Sequence, residues 1–253
     1  MSDLAVIILT KNEEANIEDC IKSAMFADEI IVIDSGSTDE TQAKAEALGA
    51  RFVVHPMGDE GFAGQRNFAL TQTNAKWVFY LDADERLTQE AGEEIKAISH
   101  SDKKAAYRIK RINVLFGQMM KYGAHAPDWS SRLYPRSSIH WIGKVHEHVE
   151  TSLPYHDLAG VMHHHTYNDW NSYFKKLDQY TDMMAEKMKS DGKKASVTDL
   201  TLRPVFAFIR AYIMKRGFLD GELGLILSIL HGNYTFMKYL KLRHFYIGKG
   251  EHR

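Results

Sequence analysis

Leu4-Ala-Val-Ile-Ile-Leu9, followed at once by Thr10-Lys11-Asn12-Glu13-Glu14, decides the fold. The run is apolar without alternation and rich in β-branched residues, so it reads as a strand buried on both faces, as in a parallel sheet. Asn12 then offers a helix cap, with Glu13 and Glu14 in the first turn, where the helix dipole favours acids. Ile17, Cys20, Ile21 and Ala24 follow at helical spacing, which puts Cys20 on a buried stripe as a packed thiol rather than a reactive one.

The same rhythm repeats down the chain. Glu29-Ile-Ile-Val-Ile33 is a second strand ending at Asp34, Ser35 to Asp39 is a turn and cap, and Glu40 to Leu48 is a helix stopped by Gly49. Arg51 to Val54 is a third strand, Gly58 to Gly64 a glycine-bearing loop, and Arg66 to Leu70 a short helix. Trp77-Val-Phe-Tyr-Leu81 is a fourth strand that runs into Asp82-Ala83-Asp84, and Thr88 caps a helix with Ile95 and Ile98 facing inward. Strands alternating with helices predict an α/β fold, a mostly parallel sheet flanked by helices. From about residue 105 to 165 the pattern becomes irregular or antiparallel strands. A long helix spans Asp169 to Lys189, with Trp170, Tyr173, Phe174, Leu177, Tyr180 and Met184 on one stripe, and Ser190 to Lys194 is a polar linker.

Composition excludes several classes. With 253 residues, 44% hydrophobic and 26% charged, the chain has the makings of a real core and is neither disordered nor low-complexity. A formal charge of −1 names no partner. A single cysteine rules out an intrachain disulfide or a multi-Cys zinc site and favours a reducing compartment. No run approaches the ~20 apolar residues of a membrane span. Leu4 to Leu9 is too short for a signal peptide, and Asp3 stands in place of a basic lead-in, so the expected location is the cytoplasm. From Arg203 onward nine Lys or Arg face three acids, a tail of +6 on a body of −7, and aromatics from Phe206 to Tyr246 are interleaved with the bases. That tail reads as a packed helix pair, as an interfacial helix drawn to anionic lipid, or, least well, as an RNA-binding stretch.

The chemistry-bearing residues follow the strands. In an open α/β sheet ligands bind beyond the carboxyl ends of the strands, here Thr10 to Glu13, Asp34 to Ser37 and Asp82 to Asp84. No P-loop and no G-x-G-x-x-G follows the first strand. Asp82 and Asp84 flank one residue, a spacing that suits a divalent cation such as Mg²⁺ or Mn²⁺ and equally a solvated turn. Arg66, opening a short helix after the glycine loop, is within reason of a phosphate or is a plain surface arginine. His140, His146, His148, His156 and His163 to His165 invite a zinc reading, but no H-E-x-x-H is present and most read as loop residues.

Taken together, Ile7 to Glu14, Ile33 to Thr41, Gly64-Gln65-Arg66-Asn67 and Leu81-Asp82-Ala83-Asp84-Glu85 resemble family 2 glycosyltransferases of the GT-A fold in identity, order and spacing. Arg132-Leu-Tyr-Pro135, Trp141 to Glu147, His164-His-Thr-Tyr167 and Arg203-Pro204 through Gly221 resemble one branch, the β-1,4-glucosyltransferases of the lipopolysaccharide inner core. The resemblance implies a nucleotide-sugar-binding half over 1–100, an acceptor-side catalytic region over 101–168, and a helical region with a basic-aromatic amphipathic tail over 169–253. It implies that Thr10, Glu13, Asp34, Arg66 and Asp82 bind the nucleotide, that Asp82, Asp84 and His164 hold Mg²⁺ or Mn²⁺, and that Glu147 is the catalytic base. His163 and His165 stay open beside His164. Gln65 stands where many relatives carry lysine, which lowers the charge on the phosphate side.

The implied reaction is inverting, metal-dependent transfer of a hexose, glucose on this resemblance, from a UDP-sugar to a heptose of the lipopolysaccharide core. The implied setting is the inner face of the cytoplasmic membrane, with contact to anionic lipid and no nucleic-acid partner. Another surface glycan is the nearest alternative acceptor. A sugar nucleotidyltransferase would carry a glycine-rich, arginine-bearing loop after the first strand, which Thr10 to Glu13 is not; a non-catalytic nucleotide-sugar binder is the other rival.

Overall fold

The computed structural model describes residues 2–101, 103–143, 147–167 and 169–247. The chain forms two compact units, Met1–Ile112 with Asp128–His165, and Asn113–Pro127 with Thr166–Arg253.

In the first unit, β1 (Leu4–Thr10) lies between β2 (Glu29–Asp34) and β4 (Trp77–Asp82), parallel to both, and β3 (Arg51–Val54) continues the parallel set beyond β2. Every residue of β1 is buried, because both faces of the sheet are covered. Leu4, Val6 and Ile8 pack toward α1 (Ile17–Ser23), α2 (Thr41–Ala47) and α4 (Gln89–Ser99), through Ile21, Ala45 and Ile95 among others. Ile7 and Leu9 face the opposite side, where α3 (Gly61–Thr71) and Tyr80 form a second core. This is the mostly parallel, helix-flanked sheet that the pattern predicts.

The antiparallel half extends the same sheet rather than building another. Past β4 the order is β8 (Asp128–Pro135), β6 (Ala106–Leu115), β11 (Tyr155–Tyr167) and β5 (Glu85–Leu87). β8 runs antiparallel to β4, with Tyr134 opposite Val78, and β11 antiparallel to β5, with His164 opposite Glu85. The small strands β9 (His140–Ile142) and β10 (His148–Glu150) pair separately.

Gly160 on β11 lies hard against α4. A Cβ there would stand 2.4 Å from Ala91 Cα, while the Glu94 carboxylate accepts the N–H groups of Ala159 and Gly160 at 2.9 and 3.0 Å. Backbone cannot yield as a side-chain tip can. Gly160→Ala is therefore expected to destabilise the fold by about 1–3 kcal/mol, read as a lower urea midpoint at unchanged slope.

Three local expectations differ from the structure. The helix after β1 starts at Ile17, not at Asn12. Asn12 adopts φ 54°; its N–H donates to Ser37 Oγ at 2.8 Å, and its Oδ1 accepts from the Thr38 N–H at 2.8 Å. The loop after β2 thus claims the groups that a cap would use. Next, Gly61 and Gly64 belong to α3 instead of a loop. The buried face of that helix includes Gln65 and Arg66, so it shows no apolar stripe. Finally, the stripe on the long helix is only partly covered: Tyr173 is buried, whereas Phe174 and Tyr180 are about half exposed at 47% and 52%.

The second unit is helical. A short strand, β7 (Gln118–Met119), pairs with the end of β6. α5 (Trp170–Ser190) is capped by Asp169, which accepts the Ser172 N–H at 2.9 Å. α6 (Val197–Ile209) opens with a reciprocal Ser196–Asp199 capping box. Ser190 to Lys194 links the two helices, as its composition predicts. α7 (Gly221–Ile247) buries Leu227 with Leu115, Met120 and Tyr173, and Leu223 and Leu230 pack beside it, while Leu225 and Ile229 stay exposed. Buried Asp220 accepts the backbone N–H groups of Lys121 and Tyr122.

Candidate active site

Three parallel strands end together. Thr10 pairs with Asp34, and Leu9 with Asp82, so Thr10, Asp34 and Asp82 sit at the carboxyl edge of β1, β2 and β4. Asp34 is buried and accepts the N–H groups of Gly36 and Ser37, each at 2.8 Å, and the Ser37 hydroxyl. It shapes its own loop, which Gly36 permits with φ 97°. Thr10 Oγ1 is buried and has no hydrogen-bond partner among the described residues. A buried hydroxyl without a partner is costly unless a ligand completes it. Glu13 turns away to local work, accepting from Asn16 Nδ2 at 2.7 Å.

Arg66 joins two carboxylates. From the second turn of α3 its Nη1 lies 2.6 Å from Glu147 Oε1, and its Nη2 lies 3.5 Å from Asp82 Oδ1. The guanidinium stands 4.6 Å over the Trp141 ring. Asn67 Nδ2 donates to the Trp141 carbonyl, and the Trp141 N–H donates back to Asn67 Oδ1, so helix and ring are held in register. Tyr80 fixes the helix from below by donating to the Arg66 carbonyl at 3.0 Å. Arg66, Asp82 and Glu147 line one cavity of about 410 Å³ with Arg132, Trp141 and Tyr155.

Asp82 is gripped from its other side. Arg132 Nη2 lies 2.8 Å from Asp82 Oδ2 and 2.6 Å from Glu85 Oε1, and Glu85 is fully buried. Burial opposes ionisation of Asp82, but the Arg132 and Arg66 charges outweigh it and hold its pKa well below the usual carboxylate range. Glu85 goes the other way: burial raises it despite Arg132, and the neighbouring Asp82 charge adds to the rise. Arg132 and Glu85 carry no role in the sequence reading. Both stand in stretches that carry the family resemblance, Leu81 to Glu85 and Arg132 to Pro135, but their 47-residue separation hides the pair.

Asp84 faces a different neighbour. His164 Nε2 lies 3.2 Å from Asp84 Oδ2, and the His165 N–H donates to the Asp84 carbonyl at 2.8 Å. Of the three consecutive histidines, His164 is the one paired with this carboxylate. Among the described residues no group of three or more His, Cys, Asp or Glu converges as a self-sufficient ion cage. One carboxylate oxygen and one imidazole nitrogen are donors of the kind a divalent ion accepts, and they would supply part of its shell. Lys144, Val145 and His146, in the middle of the Trp141–Glu147 motif, lie outside the described residues.

The family model for glycosyl transferase family 2 matches residues 5–152. The chain belongs to that family. An uncharacterized glycosyltransferase of Rickettsia prowazekii, RP128, is 31% identical over 258 residues, covering 96% of this chain and 87% of the relative. The lipopolysaccharide core biosynthesis glycosyltransferase LpsC of Rhizobium meliloti is 27% identical over 256 residues, covering 94% and 91%. Glucosyl-3-phosphoglycerate synthase from Mycobacterium tuberculosis, solved with Mn²⁺, UDP and glucosyl-3-phosphoglycerate, aligns over 44% of each chain at 26% identity with a TM-score of 0.35, a likeness that carries nothing about the site. The chain is therefore an enzyme, a glycosyltransferase of family 2. Among the described residues no helix is long and apolar enough to cross a membrane.

Proposed function

We propose that this glycosyltransferase moves a hexose, glucose on the resemblance, from a UDP-sugar to a heptose of the lipopolysaccharide inner core, inverting the anomeric carbon. It would work at the cytoplasmic face of the inner membrane, in contact with anionic lipid. The observation that carries the reading is the single cavity in which Arg66 stands between Asp82 and Glu147. The family and the LpsC likeness support the acceptor class.

Thr10 and Asp34 would meet the uridine, with Glu13 shaping the loop behind them and Asp82 beside the ribose and diphosphate. The partnerless Thr10 hydroxyl supports this assignment. Asp84 and His164 would hold Mn²⁺ or Mg²⁺, with Asp82 next to them. A bound ion of that kind offsets the charge that grows on a departing diphosphate. Arg66 adds a buried positive charge on the same side and keeps it oriented by stacking on Trp141. Glu147 would accept the proton of the attacking acceptor hydroxyl. Direct displacement needs that base opposite the leaving group, and Glu147 comes from the acceptor-side stretch rather than from the nucleotide edge.

The test is UDP release from purified protein with UDP-glucose or UDP-galactose, with and without Mn²⁺ or Mg²⁺, followed by addition of core lipopolysaccharide. Transfer to the core lipid with one donor strongly preferred supports the reading. Asp84→Ala is expected to abolish transfer and leave the melting temperature unchanged; wild-type turnover in that variant removes the metal assignment.

A further inference from the structure

α6 and the turn that follows it are apolar on both sides. The inner side, with Pro204 and Phe208, meets α7 where Gly232 leaves room: a Cβ on Gly232 would stand 3.0 Å from the Pro204 carbonyl oxygen. The outer side carries Leu202, Val205, Phe206, Ile209, Ile213 and Met214, each between 37% and 65% exposed. No residue of α6 is buried. A broad apolar helix face belongs against a core or lipid, and among the described residues only the inner side of α6 has a protein partner. Ile229 and Phe236 of α7 are exposed as well. Apolar surface on this scale, unlike scattered single residues, marks an interaction site.

The charges select the occupant. Arg203 and Arg210, seven residues apart, run along one edge of the α6 stripe, and Lys215 and Arg216 follow at its end, all exposed. Asp199 is the one acid between residues 197 and 219, and it is bonded to Arg203. A second copy related by a two-fold axis would bring these like charges together in the closed interface. An anionic lipid surface instead matches them: aliphatic and aromatic side chains enter the acyl boundary while the bases meet phosphate headgroups.

We propose that the outer face of α6, continued through Ile213 and Met214, is a wedge that inserts into an anionic phospholipid monolayer. The proposal rests on the reading of a lipid-borne acceptor for its purpose, but not for its measurement.

The experiment is flotation of the full chain with vesicles of phosphatidylethanolamine and phosphatidylglycerol, against vesicles of phosphatidylcholine alone. The wild type is expected to float with the anionic vesicles and at least about ten-fold less with the neutral ones. Replacing Leu202, Phe206 and Ile213 together by Gln is expected to weaken anionic-vesicle binding by about a hundred-fold. Arg210→Glu with Lys215→Glu is expected to weaken it by about ten-fold or more and to remove its salt dependence. These residues lie outside the catalytic machinery, so UDP release in solution and the melting temperature should stay at wild-type values, which shows that the variants are folded. Absence of binding to anionic vesicles, equal binding to both kinds, or binding unchanged in the Gln variant overturns the wedge. So does a wild-type dimer in sedimentation velocity that the Gln variant dissolves, since the face then belongs to a second copy. The vesicles contain neither donor nor acceptor, so failure here leaves the transfer reading standing, and failure of transfer leaves the wedge standing.

Discussion

Glu147→Gln is expected to retain UDP-sugar binding and to lose transfer by roughly 100- to 10,000-fold, the range that a positioned general base contributes. The substitution is nearly isosteric. The amide oxygen still accepts from Arg66, which now lies 2.6 Å from Glu147 Oε1, so the cavity keeps its shape. On the proposed role of Glu147, what would disappear is the capacity to take a proton from the acceptor hydroxyl. Calorimetric titration with UDP-glucose should give an affinity close to wild type, and the transfer rate should collapse. Unchanged turnover would move the base elsewhere. A loss of donor affinity equal to the loss of rate would mean that Glu147 acts only by aiming Arg66.

Arg132→Met is the variant with the largest expected effect on stability. Arg132 is buried and holds Asp82 and the fully buried Glu85 at 2.8 and 2.6 Å. Breaking a buried ion pair costs about 3–5 kcal/mol when the other charge is left alone; here Glu85 would still face Arg111 and Asp82 would still face Arg66, each at 3.5 Å, so the expected loss lies at or below the lower end of that range. Chemical denaturation should show that loss directly. Adding Glu85→Gln should return part of it: the amide oxygen can still accept the Asp82 N–H that Glu85 Oε2 accepts at 2.9 Å, and no carboxylate is left alone. If the double variant is as unstable as Arg132→Met, lost packing around the arginine stem, not stranded charge, is the cause.

Much of the fold is legible in the chain because β1 and β4 are covered on both faces and announce it with uninterrupted apolar runs. The helix at Gln89–Ser99 is equally plain, since Thr88 does cap it, accepting the Ala91 N–H at 3.3 Å. Asn12 misleads because its partners, Ser37 and Thr38, come from another loop and outbid the local cap. α3 is hidden for a related reason: polar Gln65 and Arg66 do the packing there, and Gln65 is spent on the His55 carbonyl at 2.6 Å. In the site, the residues at strand ends can be picked out by position. The clamp of Arg132 on Asp82 and Glu85 cannot, because nothing in a linear spacing records which distant guanidinium neutralises a buried acid.

Cys20 has no exposed surface, its Sγ sits 3.5 Å from the Asp82 carbonyl oxygen, and burial pushes its thiol well above the ordinary cysteine value. The folded chain is therefore silent to maleimide and iodoacetamide, although it contains a cysteine. A single cysteine introduced at Leu202 or Ile213 becomes a unique attachment point for a polarity-sensitive fluorophore, with no need to delete the native sulfhydryl. Labelling that nonetheless reaches Cys20 would report opening of the layer behind β4, and so gives a direct chemical clock for loosening beside the carboxyl end of that strand.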